Sequence, residues 1–215
     1  MGKFVMNKFG KYLKKLEKLD NSKTFLKSDR IVLLLSGSSN YETSALSDVQ
    51  KNFLEIFRKY GYEIIKSNFP YNNDFEHENF EDVSILKASI SNIIYYLHTL
   101  YNKRFRKEIK RHFLPLSEFN DIIIVTQSSG LNLLKVALES WDISNRKVKI
   151  FALGAFSYGH RKIQNCVIFK GKKDVYANFM DFHKCDIKVD CGHFDYLKNE
   201  QVKEIIYEWL EKNKN

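Results

Sequence analysis

Short runs of consecutive apolar residues constrain the fold of this chain more than any other feature. Residues 31–35 read Ile-Val-Leu-Leu-Leu, and residues 121–125 read Asp-Ile-Ile-Ile-Val, apolar after the first residue. Two more strands are expected at 148–153, where Lys149 interrupts the apolar residues, and at 166–169. Apolar runs of this length, without polar alternation, are typical of strands buried on both faces of a sheet. Segments with helical periodicity lie between most of them. The pattern predicts a parallel sheet covered by helices on both sides.

Two shorter strands and four helices complete this pattern. The strands are expected at 62–67 and 186–190, and the helices at 47–61, 83–112, 131–141 and 202–210. Ser47 has a side chain suited to cap a helix N-terminus, and Pro115 follows the end of the longest helix. We therefore predict a three-layer α/β sandwich with a mostly parallel sheet of about six strands.

One connection strains this arrangement. Only residues 154–165 separate the apolar runs at 148–153 and 166–169. A parallel crossover needs at least about 10–12 residues, so this segment is near the minimum. We expect either a single short helical turn there or a different pairing of the two strands.

A basic N-terminal segment precedes the first apolar run. A chain of 215 residues suits one domain, with at most an added arm. Residues 1–30 predict an amphipathic helix and then a polar stretch, with an apolar side formed by Phe4, Val5, Phe9, Leu13 and Leu16. We predict a basic helical arm at 1–30 and a main domain at 31–215.

The net charge favours anionic partners. There are 35 lysine and arginine residues against 26 aspartate and glutamate residues, giving a formal charge of +9. The densest basic segment could contact a phosphate or an anionic surface through Lys103, Arg104, Arg106, Lys107, Lys110 and Arg111. It could equally be the solvated face of a long helix, and an AT-rich genome would also produce this composition. We expect no stable nucleic-acid partner.

The sequence also bears on location and cofactors. No run approaches the roughly 20 apolar residues of a membrane-spanning helix, and the N-terminus lacks the apolar stretch of a secretory signal. Three cysteines, Cys166, Cys185 and Cys191, are an odd and sparse set for a disulfide framework. We expect a cytoplasmic protein that requires no cofactor.

Residues 122–131 carry the strongest functional signal. An apolar strand turns there through Thr-Gln-Ser-Ser-Gly directly into a buried helix, the setting of the nucleophile elbow G-x-S-x-G. The crowded turn needs small residues two before and two after the serine. Thr126 and Gly130 occupy those positions around Ser128, whereas the corresponding neighbours of Ser129 are larger. We predict Ser128 as the nucleophile; the simpler alternative is a serine-rich turn that caps the helix.

An aspartate and a histidine follow in positions suited to activate this serine. Asp174 comes just after the strand expected at 166–169, and His193 follows the last strand behind Gly192. Because parallel strands end at one edge of the sheet, the three side chains would converge there. His193 would act as general base and then general acid, and Asp174 would orient it. Taken singly, Asp174 could be a solvated turn residue, and His193 a polar residue that starts a helix.

A loop of small residues at 36–40 follows the first apolar run. Acyl transfer needs two backbone N–H donors that face the developing oxyanion. In the elbow pattern one donor is the residue after the nucleophile, here Ser129, and the other comes from the earlier loop. We select Ser38 for the second position.

These segments together resemble the α/β-hydrolase superfamily, and the resemblance extends from residue 31 to the C-terminus. It rests on Ser36-Gly-Ser, Thr126-Gln-Ser-Ser-Gly, Gly171-Lys-Lys-Asp and Gly192-His-Phe. It implies the family strand order 4-3-5-6-7-8, without the first two strands or a lid domain and with an extra N-terminal helix. It also implies a small esterase, thioesterase or lipase. The sequence departs from the family at Thr126, where glycine is usual, and at Ser36, where many members have histidine.

The same region could be interpreted as a metal site. His183 and Cys185 form one pair, and Cys191 and His193 form another. The ligand types suit zinc, but the gaps of one residue differ from the usual two to four. If residues 186–190 form a strand, the pairs lie at its opposite ends, roughly 20 Å apart at ~3.3 Å per residue. We expect no metal.

Two functions remain open. The first is a serine hydrolase that cleaves a carboxylic ester or thioester through an acyl-serine intermediate. The second is a catalytically inactive α/β-hydrolase-fold protein that binds an anionic partner through its basic surface. For the first function, four aromatic residues on loops could line an acyl pocket: Tyr41, Phe69, Tyr71 and Phe75.

Overall fold

The computed structural model describes residues 2–24, 28–144 and 147–213 of the chain. Its strands are β1 (Arg30–Ser36), β2 (Glu63–Ile65), β3 (Asp121–Gln127), β4 (Lys147–Leu153), β5 (Cys166–Gly171) and β6 (Ile187–Val189). Its α-helices are α1 (Gly2–Lys18), α2 (Asp48–Arg58), α3 (Ile85–Tyr101), α4 (Lys103–Phe113), α5 (Gly130–Leu138), α6 (Val175–Met180) and α7 (Glu200–Lys212). Each strand expected from the sequence is present, with bounds shifted by a few residues at most.

The strands form one parallel sheet in the order β2-β1-β3-β4-β5-β6. The central strand β3 pairs with β1 and with β4 along its whole length. This order is the one that the family resemblance implies, so the predicted α/β architecture is confirmed. Because the strands are parallel, their carboxyl ends all lie at one edge of the sheet, where sites of this architecture are found.

Each face of the sheet carries its own hydrophobic core. Ile31, Leu33 and Leu35 of β1 pack in a cluster that includes side chains of α1, α3, α4 and α5. Val32 and Leu34 point the other way, into a cluster with α2 and α7. All five side chains are completely buried. A strand covered on both faces has no position left for a polar residue, which explains the unbroken apolar run.

Helix α1 packs against the domain through its apolar stripe. Phe9, Leu13 and Leu16 are buried in the same cluster as residues of α3 and α4. Phe4 and Val5, which the sequence places on this stripe, lie outside the described side chains. The helix therefore contributes to the core of the fold, while the division of the chain into an arm and a domain stays a prediction.

The single long helix predicted over residues 83–112 is wrong, because the structure has two helices there. Helix α3 ends at Tyr101, and Asn102 takes an extended backbone conformation with φ −87° and ψ 102°. The side chain of Asn102 accepts hydrogen bonds from the backbone N–H groups of Arg104 and Phe105. An asparagine that satisfies the first N–H groups of a helix in this way starts a new helix.

The connection between β4 and β5 also differs from both expectations. Residues 154–165 are all described, and they contain no helical turn. The strands nevertheless pair in parallel. An irregular crossover suffices because the loop is held by its own buried apolar side chains, Ala155 and Ile163.

Two findings bear on the cell compartment. No helix within residues 2–24, 28–144 and 147–213 combines the length and the apolar character needed to cross a bilayer. All three cysteines carry free thiols. The cytoplasmic location stays a prediction.

Candidate active site

Ser128 occupies a sharp turn at the carboxyl edge of the sheet, between the end of β3 and the start of α5. Its φ angle is +53°, a left-handed conformation that is rare for residues other than glycine. Two backbone hydrogen bonds fix the turn to the end of β4 and to the loop that follows it. The backbone N–H of Ser128 donates to the carbonyl of Leu153 at 3.3 Å, and its carbonyl accepts from the N–H of Phe156 at 3.0 Å.

Close packing around this turn explains its small neighbours. A Cβ atom added to Gly130 would lie 1.8 Å from the carbonyl oxygen of Leu35 in β1, so only glycine fits there. Thr126 is completely buried, and its hydroxyl has no hydrogen-bond partner among the described residues. The larger side chain that replaces the usual glycine at this position is therefore accommodated inside the fold.

Asp174 is placed by the turn that follows β5. It is completely buried and caps the N-terminus of α6, where its Oδ1 accepts from the backbone N–H of Ala177 at 2.9 Å. The turn is tight because a Cβ on Gly171 would lie 2.3 Å from the carbonyl oxygen of Cys191. The glycine thus lets the β5 turn approach the loop that follows β6 and that carries His193.

His193 lies between the serine and the aspartate. Its Nε2 is 3.3 Å from Oγ of Ser128, and its Nδ1 is 3.0 Å from Oδ2 and 3.1 Å from Oδ1 of Asp174. The structure therefore brings the three predicted residues, which are far apart in the chain, within hydrogen-bonding distance at one edge of the sheet. In this arrangement Nδ1–H donates to the carboxylate and leaves Nε2 free to accept the serine proton.

Tyr196 is a member of this site that the sequence reasoning missed. It is completely buried, donates its hydroxyl hydrogen to Oδ2 of Asp174 at 2.7 Å, and accepts from the backbone N–H of Gly171 at 2.6 Å. Tyr196 follows His193 by three residues, and this spacing could have indicated that it lies near the site. An aromatic residue at that position is equally expected in a hydrophobic core.

The surroundings keep the carboxyl group of Asp174 ionised. Burial by itself raises the pKa of this carboxyl. The hydrogen bonds from His193, from the N–H of Ala177 and from Tyr196, together with the charge that His193 carries when protonated, outweigh burial and hold the pKa below its usual value. A carboxylate that stays charged can orient the imidazole and stabilise its protonated form.

The two predicted oxyanion donors lie on neighbouring segments. A Cβ on Gly37 would be 2.3 Å from Oγ of Ser129, so the loop after β1 approaches the elbow closely. Ser38 follows in this loop, and its hydroxyl donates to the carbonyl of Asn40 at 2.7 Å. In the described ranges, the backbone N–H groups of Ser38 and Ser129 make no hydrogen bond. Their role as an oxyanion hole stays a prediction.

The residues considered as zinc ligands have other partners. Nδ1 of His183 lies 2.5 Å from Oδ1 of Asp181, and His193 contacts Asp174 as described. Cys185 directs its thiol at the carbonyl of Ile187 at 3.1 Å. Among the described residues, no group of three or more histidine, cysteine, aspartate or glutamate side chains is arranged to hold a metal ion.

Most of the basic side chains proposed to contact an anion are already paired. Arg104 contacts Glu17, Arg106 and Lys110 contact Glu139, and Arg111 contacts Glu108. Lys103 and Lys107 are exposed on the same helix, α4. These ion pairs leave less free charge than the sequence suggests, and contact with an anionic partner through α4 stays a prediction.

The aromatic residues suggested for an acyl pocket form part of the core instead. Tyr41, Phe69, Tyr71 and Phe75 are all buried in the cluster that also contains α1. Tyr41 stacks on Tyr12 of α1 with ring centroids 5.5 Å apart. The suggestion that they line a pocket is therefore wrong, because α1 packs against Tyr41 and Phe75, and α4 packs against Phe69 and Tyr71.

The architecture and the geometry of the site together define the fold class of this chain. A parallel sheet in this strand order, with a left-handed serine at a strand-to-helix turn and a histidine and an aspartate on later loops, is the α/β-hydrolase fold. The chain therefore has the α/β-hydrolase fold.

Solved structures of similar shape bear on the fold. A predicted CIB-like hydrolase from Thermoplasma acidophilum is 16% identical, with a TM-score of 0.50 over 86% of this chain and 88% of that one. A carboxylesterase from Mesorhizobium loti is also 16% identical, with a TM-score of 0.44 over 89% of this chain and 91% of that one. No family model matches the chain, and no curated protein matches it. At 16% identity, the likeness to the Thermoplasma acidophilum protein concerns the fold alone.

Proposed function

We propose that this protein is a serine hydrolase that cleaves a carboxylic ester or thioester through an acyl-serine intermediate. One observation carries the proposal: Asp174, His193 and Ser128 form a continuous series of contacts at 3.0 and 3.3 Å. A protein of this fold that only binds a partner does not require a carboxylate, an imidazole and a hydroxyl in successive contact. The Thermoplasma acidophilum protein of similar fold is a predicted hydrolase, which agrees with the proposal.

The reaction would proceed in two halves. Oγ of Ser128 attacks the carbonyl carbon of the substrate while its proton passes to Nε2 of His193. The negative charge on the carbonyl oxygen is stabilised by the backbone N–H groups of Ser38 and Ser129. Collapse of this intermediate expels the alcohol or thiol, which takes the proton from His193. A water molecule then attacks the acyl-serine with His193 as general base, releasing the acid and restoring Ser128.

Labelling with a fluorophosphonate tests the nucleophile. We expect the wild-type protein to be labelled and Ser128→Ala to remain unlabelled, because the probe reacts only with an activated serine. Ser129→Ala keeps its backbone N–H and is expected to remain labelled, which separates the two adjacent serines. Absence of labelling in folded wild-type protein would contradict the proposal and favour the catalytically inactive binding protein.

The role of Asp174 is tested by Asp174→Asn. An amide in place of the carboxylate favours the wrong imidazole tautomer, so we expect kcat for p-nitrophenyl butyrate to fall about ten-thousand-fold. His193→Ala should cause a loss of similar severity. The matched control is Asp190→Asn, because Asp190 is exposed and pairs only with Lys173 at the surface. A near-normal rate in Asp174→Asn would remove this residue from the catalytic group.

A further inference from the structure

Helix α6 and the loops beside it expose an unusual number of large apolar side chains. Only Ala177 of this helix is buried. The exposed side chains are Val175, Tyr176, Phe179, Met180, Phe182 and Phe194, which we call the apolar rim. Phe179 is 78% exposed and Phe182 is 72% exposed. Large apolar patches on a soluble protein mark places that contact another apolar body.

The apolar rim adjoins the reacting groups. The ring of Tyr176 lies 5.2 Å from the imidazole of His193, measured between centroids, and the ring of Phe194 lies 5.3 Å from it. A substrate whose carbonyl carbon reaches Ser128 would therefore have the apolar rim beside it. This proximity connects the apolar surface to catalysis rather than to a remote interface.

Helix α3 adds a second apolar surface near the serine turn. A Cβ on Gly37 would lie 2.2 Å from Oδ1 of Asn92, so the middle of α3 passes beside the loop that holds Ser38. The outward side of the helix exposes Ile85, Leu86, Ile93, Leu97 and Tyr101.

A ring contact links α3 to the loop after β4. Tyr96 of α3 contacts Phe156 with ring centroids 4.4 Å apart, and the N–H of Phe156 bonds to the carbonyl of Ser128. The exposed Tyr158 follows two residues later in this loop. Apolar side chains therefore approach the serine from α3 as well as from α6.

Exposed cations lie on the same segments as some of these apolar groups. Lys87 lies on α3, Arg161 and Lys162 lie on the loop after β4, and Lys184 follows Phe182. In the part of the chain that the structure describes, none of the four forms an ion pair. Aromatic and aliphatic side chains interspersed with cations suit the boundary between anionic headgroups and acyl chains.

We propose that the substrate is a lipid ester, and that the apolar rim and the outer side of α3 seat the protein on an anionic lipid surface. This inference rests on the proposed serine hydrolase activity. A folded protein partner or a second copy on the same patch would cover the surface beside Ser128, whereas a lipid surface supplies the substrate there. Each methylene of an acyl chain buried on the rim contributes about 0.8 kcal/mol, or roughly fourfold in binding. Long-chain esters should therefore be preferred over short ones.

Binding to the surface is tested without turnover. Full-length Ser128→Ala is sedimented with vesicles of phosphatidylcholine and phosphatidylglycerol, and we expect it to co-sediment. Adding Phe179→Ser and Phe182→Ser should reduce vesicle affinity about tenfold, which corresponds to about 1.4 kcal/mol of lost apolar contact. The matched control is Leu114→Ser: Leu114 is 63% exposed but precedes the N-terminal end of β3, opposite the site. That variant should bind as its parent does.

Substrate preference is tested in the active protein. We expect p-nitrophenyl laurate to be preferred over p-nitrophenyl butyrate in kcat/KM, and we expect Phe179→Ser with Phe182→Ser to lower this ratio about tenfold. Two results would overturn the lipid inference but leave the proposed function intact. In the first, the wild-type protein hydrolyses the butyrate ester but Ser128→Ala does not bind vesicles. In the second, the two substitutions leave the ratio of kcat/KM for laurate over butyrate unchanged. A dimer that the two substitutions dissociate would also overturn it, in favour of a second copy. If the wild-type protein hydrolyses neither ester, the proposed function is refuted, and this inference with it.

Discussion

The backbone of Ser128 stores strain at the point where chemistry is proposed. A non-glycine residue in the left-handed region costs roughly 1–2 kcal/mol, and such residues persist only when their surroundings determine them. Here the surroundings are the hydrogen bonds to Leu153 and Phe156 and the contact of Gly130 with β1. This left-handed backbone conformation directs the serine hydroxyl toward His193.

Gly130→Ala tests how strictly this turn is packed. The new methyl group would meet the carbonyl oxygen of Leu35, a backbone atom that cannot move aside. We expect the free energy of unfolding in urea to fall by on the order of 3 kcal/mol. The control is Gly10→Ala in α1, where nothing lies within 4 Å of the added carbon. A helical glycine in open space should gain about 0.5–1 kcal/mol on this change. Equal stability of Gly130→Ala and wild type would refute the packing argument.

At the scale of elements, α6 is anchored at both ends. Its N-terminus begins at Asp174, and Asp181 follows its last residue. Asp181 is buried, and its Oδ2 lies 3.0 Å from Nζ of Lys170 on β5, while its Oδ1 contacts His183. The helix that carries the apolar rim is therefore attached to the same strand that positions the candidate catalytic carboxylate.

Lys170→Met tests this attachment. Removing Lys170 leaves the buried carboxylate of Asp181 with its His183 contact but without the lysine charge, and breaking a buried ion pair in this way costs about 3–5 kcal/mol. We expect a loss of that size in urea unfolding. Lys173→Met is the control, since its pair with Asp190 is exposed and such pairs contribute about 0–1 kcal/mol. A loss no larger than that of the control would show that the buried pair does not hold α6.

At the scale of the whole molecule, the contact between α1 and α4 makes stability depend on pH. His112 of α4 is buried, lies 3.3 Å from the carbonyl of Leu16 in α1 and contacts the ring of Phe69 edge-on. Burial, assisted by the charge of Arg111, lowers the pKa of His112 to about 4. The folded protein thus holds this imidazole neutral where an unfolded chain would protonate it.

The sign of the pH effect follows from this difference. Stability from His112 is complete above the unfolded pKa of about 6.5 and is lost as pH falls toward the folded value of about 4. The total change is on the order of 3 kcal/mol. We expect His112→Gln to flatten the fall in unfolding free energy over this interval, measured by urea titration at several pH values. His160→Gln, at an exposed position, should keep the wild-type slope. A wild-type slope in His112→Gln would contradict the assignment.

The sequence by itself determined the sheet and the order of the site residues. Apolar runs such as 31–35 are typical of strands buried on both faces, and parallel strands place Ser128, Asp174 and His193 at one edge. The packing at Gly130 shows why the elbow could be recognised: its constraint acts within a few residues of the turn.

Only the tertiary structure decided what depends on neighbouring elements. Asn102 ends one helix and begins another because its side chain caps α4, a choice that periodicity cannot reveal. Tyr41 is buried and Phe179 is exposed, although both are aromatic residues near the same edge, because α1 covers the first and nothing in the described chain covers the second. Local sequence sets which conformations are possible, whereas burial and partners are set by surfaces contributed from distant parts of the chain.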